Sequence, residues 1–145
     1  MKRTAQGDFV EVMKIAIRGK GLTQNPGVCF STRPRFKRND LKDAKIFITP
    51  TAPDIERISR EDVIEHPAFQ VWLARAIREA DTIGACEDLD SHSLDAMFKT
   101  QSELIQVLAN VDGVVSVEPM TGPDNTFSDD GIWFTVFRVT FFGGG

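Results

Sequence analysis

Ser91-His92-Ser93 places an imidazole between two hydroxyls, and Glu65-His66 sets a second imidazole beside a carboxylate. These residue types could exchange a proton or activate a nucleophile. A nucleophilic triad, however, is assembled across a fold, and adjacency in sequence does not build one. The serines have a simpler use, as caps for the apolar helical stripe that begins at Leu94. Cys29 and Cys86 lie far apart, with no C-x-x-C pair and no histidine at ligand spacing. The roughly four N or S ligands of a structural zinc site are therefore not in prospect. Reduced, half-buried thiols of a cytoplasmic protein are the expectation. Glu87, Asp88 and Asp90 lack the alternating acidic pattern of a calcium loop and read as a solvated acidic turn. G-x-S-x-G, G-x-x-x-x-G-K-[ST], H-E-x-x-H and G-x-G-x-x-G do not occur. The residues thus predict a protein that is not an enzyme and holds neither metal nor cofactor, with no catalytic role for His66 or His92.

Charge is distributed unevenly. Residues 1–50 carry 11 Lys and Arg against 4 Asp and Glu, whereas residues 51–145 carry 6 against 17. A chain basic at one end and acidic at the other can present faces of opposite sign, which suits contacts between copies. The most basic stretch, Arg33-Pro34-Arg35-Phe36-Lys37-Arg38, has one aromatic ring among four cations. Single-strand nucleic-acid recognition asks for more stacking rings and a broader basic footprint. The stretch reads instead as a contact arm for a partner protein or another subunit.

The elements that must position these residues follow from periodicity. Asp8-Phe9-Val10-Glu11 has the spacing of a capping box, and Phe9, Val12, Met13 and Ala16 continue at helical spacing toward stop signals at Gly19 and Gly21. Val28–Phe30 and Ile46–Thr49 read as strands, the second ended by Pro50. Thr51–Glu65 is polar, without a clear period, and reads as a long loop. Residues 68–80 fit either a strand, with Phe69, Val71 and Leu73 alternating, or a helix with Pro67 at its first position. Leu94, Met97, Phe98, Gln101, Leu104, Ile105 and Leu108 form one helical stripe, with Ser91 or Ser93 as cap, Asp95 at the positive end and Asp112-Gly113 closing the far end. The predicted core includes Phe98, Leu104, Ile105 and Leu108. Val114–Glu118 is a short strand, and Met120–Gly131 is a loop. Ile132–Phe142 is a long strand apolar on both faces, which implies cover on both sides of the sheet. Two helices leave the second side short of cover, and this points to a neighbouring subunit. Gly143-Gly144-Gly145 reads as a flexible tail, native or an engineered scar.

The whole describes an α/β (α+β) single domain over residues 1–142, with a mixed, mostly antiparallel sheet, an N-terminal helix and one long amphipathic helix. At 145 residues and 41% apolar composition the chain is long enough to bury a substantial core. Its longest apolar run, Val71-Trp72-Leu73-Ala74, falls far short of the roughly 20 residues that span a bilayer. No apolar stretch follows Lys2-Arg3, so membrane and secreted classes are not expected.

The order of features resembles the tail-terminator proteins of long-tailed bacteriophages. It runs from an early helix to Val28-Cys29-Phe30, then Ile46-Phe47-Ile48-Thr49-Pro50 opens a long loop with Ile58-Ser59-Arg60. Phe69-Gln70-Val71-Trp72-Leu73 comes next, then Asp88-Leu89-Asp90 leads into the Leu94–Ala109 helix, and a Phe/Val strand ends the series. The resemblance covers most of the chain as a pattern of elements and tips residues 68–77 toward strand. It implies a structural virion protein that assembles as a ring, a hexamer in that family, on the head-proximal end of the tail. The ring would end polymerisation of the tube and offer its other face to the head connector. Implied partners are other copies of the chain, the tail tube protein and the connector or neck protein. Genome DNA would cross the lumen without sequence-specific binding. Two other readings stay open on the residues: a neck or head–tail connector subunit, and a small ligand-binding α/β domain, which needs a concave site with converging polar groups. Candidate interface residues are Arg33, Arg35, Phe36, Lys37, Arg38, Ile58, Arg60, Asp124, Asp129 and Asp130.

Overall fold

The computed structural model describes residues 6–23, 26–30, 41, 43–76, 82–83, 88–89, 91–120 and 132–143. Chain order gives α1 (Gln6–Lys20), β1 (Gly27–Phe30), β2 (Lys45–Pro50), β3 (Asp54–Arg57), β4 (Val63–His66), β5 (Ala68–Ala76), β6 (Thr82–Ile83), β7 (Asp88–Leu89), α2 (Ser91–Ala109), β8 (Val114–Pro119) and β9 (Ile132–Phe141). Five strands make one mixed sheet in the order β1-β2-β5-β9-β8, in which β1 runs parallel to β2 and every other pair is antiparallel. The architecture is α+β, as the sequence predicts.

Residues 68–76 are strand. β5 is the centre of the sheet, paired over nine residues with β9, from Ala68 opposite Thr140 to Ala76 opposite Ile132. Its Ala and Arg content favours helix, but seven of its nine residues are buried, and contact on both faces overrides that preference.

Side-chain alternation sorts the sheet into two faces. Phe69, Val71 and Leu73 of β5 and Trp133, Phe137, Val139 and Phe141 of β9 share the main core with Phe9, Val10, Met13 and Ile17 of α1 and Met97, Leu104 and Leu108 of α2. Phe9, Phe69 and Phe141 form an aromatic group there, with Phe69 and Phe141 edge to face at 5.9 Å. The opposite face holds a smaller cluster of Leu41, Phe47, Ala74, Ala76 and Ile132, with Trp72 and Phe134 against it.

α1 begins two residues before Asp8, so Asp8 lies in the first turn and favours the positive end of the helix dipole without being its cap. Gly21 ends the helix in the left-handed region, at φ 66°. α2 begins at Ser91, so Ser93 is inside the helix and Asp95 falls beyond its first turn. Gly113, at φ 90°, turns the chain into β8 as expected. In α2 the buried line runs through Met97, Thr100, Leu104 and Leu108, Val111 continues it just past the helix, and Ile105 packs at its side. Phe98 is a correction: it is 46% exposed, because it sits about 100° around the helix from Met97, off the buried line.

Four further expectations are corrected. Thr51–Glu65 is not a loop throughout, since β3 and β4 form an antiparallel hairpin. Nearly every residue of that hairpin is exposed, and so no alternation of apolar and polar residues announced it. The second face of β9 does not wait for a neighbouring subunit. Within the single chain Ile132, Val136 and Thr140 are at most 4% exposed. Leu41 covers one end of that face, and the root of the hairpin lies against the other. Cys29 is exposed on the edge strand β1 and not half-buried, although partial burial of its thiol holds its pKa above the usual value. Asp88, read as part of an acidic turn, lies in the short antiparallel pair β6–β7. No helix among the described residues is long and apolar enough to cross a membrane.

Candidate functional site

Of the ten interface candidates, Ile58 and Arg60 lie in the structure; Arg33, Arg35, Phe36, Lys37, Arg38, Asp124, Asp129 and Asp130 fall outside the described residues. Both placed residues sit at the tip of the β3–β4 hairpin, and both are exposed.

The tip is ordered by its own polar groups. The backbone N–H groups of Ile58 and Ser59 donate to the Asp62 carbonyl (3.1 and 3.3 Å). The Ser59 hydroxyl donates to the Asp62 carboxylate (3.1 Å) and accepts from the Asp62 N–H (3.1 Å). Arg57 reaches along the hairpin to donate to the Arg60 carbonyl (2.7 Å). This Ser-x-x-Asp turn satisfies local backbone donors in the manner of Ser and Asp in loops generally.

The root is fixed to the sheet by charge. Arg138 of β9 donates to Asp54 Oδ1 (2.6 Å) and to the Ala52 carbonyl (2.7 Å), and Thr140 donates to Asp54 Oδ2 (3.3 Å). Asp54 thus accepts from two adjacent positions on the second face of the sheet, in charge-assisted geometry. His66, 9% exposed, closes the other strand. Its Nδ1 accepts the Gly143 N–H (2.9 Å), which leaves the ring proton on Nε2 to be donated to Glu56 Oε1 (2.8 Å). Phe142 stacks on the imidazole, ring centroids 5.5 Å apart. Gly143, the first residue of the expected flexible tail, is therefore anchored. A Cβ at this position would run into the Glu65 carbonyl, so glycine is required by close approach. His66 is a structural bridge between hairpin, last strand and Gly143. The side chain of His92 is outside the described residues.

Between root and tip, alternation turns Asp54, Glu56, Ile64 and His66 toward the sheet, and Ile55, Arg57, Val63 and Glu65 away from it. Ile55 and Val63 on the outward face, with Ile58 at the tip, are 57%, 50% and 57% exposed. Sequence reasoning placed Ile58 and Arg60 in this region but missed Ile55 and Val63, which lie on opposite strands and come to one face only through the pairing.

Elsewhere the surface holds shallow depressions. Two lie between α1 and the C-terminal end of α2, with volumes of about 290 and 320 Å³, and share Ala16, Asn110 and Val111. A third, of about 210 Å³, is lined by Gly27, Val28, Cys29 and Lys45. Among the described residues, no group of three or more His, Cys, Asp or Glu converges as metal ligands would. No protein-family model matches the chain, and no curated protein matches it in sequence.

Proposed function

We propose that the chain is the repeating subunit of a ring that caps a bacteriophage tail tube, ends its polymerisation and presents an attachment surface to the head. The observation that carries this reading is the Asp54–His66 arm, rooted rigidly by Arg138 and His66 while it holds Ile55, Ile58 and Val63 out to solvent. An isolated two-stranded ribbon is marginally stable in water, and one that holds Ile55 and Val63 on its outer face gains when they are covered. Such a ribbon on a small α+β unit suits a protein whose work is association. Binding to the last tube ring and refusal of a further one involve no bond making, so affinity and shape carry the whole mechanism.

The test is electron microscopy of the purified protein mixed with polymerising tail tube protein. Ring density at one tube end, with growth arrested there, is the expected result. Tubes that elongate with bare ends at saturating protein would overturn the proposal.

A further inference from the structure

We infer that His66 is a proton-operated latch. Neutral, it clips the chain just past β9 to the root of the arm; protonated, it keeps the arm and lets the chain end go. The two ring nitrogens make this possible because they serve different elements. Nδ1 accepts the Gly143 N–H (2.9 Å), and Nε2 donates to Glu56 Oε1 (2.8 Å). The residue is 9% exposed, so water does not freely replace either partner.

A proton acts on the two contacts with opposite sign. A backbone N–H only donates, so Gly143 bonds to a ring whose Nδ1 is bare. An imidazolium carries hydrogen on both nitrogens. The new Nδ1–H then points at the Gly143 N–H, donor against donor, and the contact is lost. At Nε2 the same proton turns a hydrogen bond from a neutral ring into an ion pair with the Glu56 carboxylate. Phe142, stacked on the imidazole at 5.5 Å, then faces a cation and holds it more strongly. The Phe142 N–H donates to the Gly113 carbonyl (2.7 Å), so release begins at Gly143 and leaves β9 in place. No small adjustment keeps both partners. Gly143 lies so close to the backbone of Glu65 that a Cβ would meet the Glu65 carbonyl, and a peptide seated this tightly turns its N–H aside only by backing away.

Among the described residues, Glu56 is the counter-charge and the other ionisable groups around the ring are engaged elsewhere. Asp54, opposite His66 in the hairpin register, accepts from Arg138 and Thr140. Arg138 is directed to Asp54 and the Ala52 carbonyl, with Glu118 opposite it on β8. Glu65 alternates to the outer face of the arm. Asp112 precedes the glycine that receives the Phe142 N–H. The helices pack on the other face of the sheet from Arg138 and Thr140. The latch is complete within one chain and stands whether or not the protein caps a tail tube.

NMR of the ¹⁵N-labelled protein tests it across the interval in which imidazole changes charge, about pH 8 to pH 5. At the alkaline end the His66 ring should show the Nε2–H tautomer, and the Gly143 amide should be protected from exchange. As His66 takes up its proton, Gly143 protection should fall about tenfold, the worth of a single hydrogen bond, while the amides of β9 keep theirs. His66→Asn sets an amide oxygen near the place of Nδ1 and does not titrate, so its Gly143 protection should not respond to pH. Glu56→Gln, on an exposed side chain, removes the counter-charge and should move the transition to lower pH. If His66→Asn melts early, Glu56→Gln alone decides. A proton on Nδ1 at the alkaline end, a ring that stays neutral at the acid end, or Gly143 protection that survives protonation of His66 overturns the latch. So does an equal loss in folded His66→Asn, or a transition that Glu56→Gln leaves unmoved.

Discussion

Glu103 shows how a surface carboxylate ties two helices together. Its Oε1 accepts the N–H of Thr23 (2.9 Å), just beyond α1, while Thr100 one turn earlier donates to the Thr23 carbonyl (2.8 Å) and to Ala96 (2.9 Å). The Thr23 hydrogen bond, with help from Lys99 and Lys20, holds the Glu103 carboxyl below the usual carboxylate range against a smaller opposing effect of burial. A carboxyl with a lowered folded-state pKa stabilises the fold fully above its unfolded pKa, and loses that contribution as the pH falls through the folded value. Wild type should therefore exceed Glu103→Gln in urea midpoint at neutral pH, and the gap should shrink on acidification below the ordinary carboxylate range. A gap independent of pH would show that the charge does not contribute. None of this was legible in the sequence. Thr100 and Glu103 meet Thr23 across 77 and 80 residues, and a polar side chain with a distant backbone partner leaves no periodic trace. His66 was legible as a residue of interest, but its bridge to Gly143 depends on where the last strand ends.

At the level of elements, periodicity served wherever one face of an element is buried. The two helices were readable for that reason, whereas the strands Val28–Phe30, Ile46–Thr49, Val114–Glu118 and Ile132–Phe142 were readable from their β-branched and aromatic content; the sheet contains all of these strands. It failed at both extremes of burial. β5 is buried on both faces, so its apolar residues satisfied a helical and an extended pattern together. The β3–β4 ribbon is exposed on nearly all sides, so it showed no pattern. Within α2, Leu104 and Phe98 separate core from rim. Leu104→Ala should cost about 2–5 kcal/mol in unfolding free energy, as expected for a leucine with no exposed surface. Phe98→Ala should cost less than about 1 kcal/mol. Equal losses in denaturant titrations would show that the buried line through Met97, Thr100 and Leu104 is drawn wrongly.

For the whole molecule, residues 1–50 are basic and residues 51–145 acidic, an opposition that on our proposal suits contacts between copies. The basic segment holding Arg33, Arg35, Lys37 and Arg38 belongs, on our proposal, at a protein interface. Arginines lining a DNA channel would grip the phosphates that must slide past. Reversing Arg35 and Arg38 to Glu should weaken ring formation or tube binding and leave the melting temperature of the isolated subunit unchanged. Normal capping by that double variant would remove the segment from the interface. The strand order has a different consequence, for the time course of folding. β9 comes last in chain order, yet it sits between β5 and β8 and supplies Trp133, Phe137, Val139 and Phe141 to the core. Its pairing with β5 closes a loop of roughly half the chain, an entropic cost that falls before any packing offsets it. β1, β2 and β5 can collapse early with α1, but the sheet stays open along β5 until the final strand slots in. During that interval the bare edge of β5 is the place where a nascent chain is most exposed to mispairing with its neighbours.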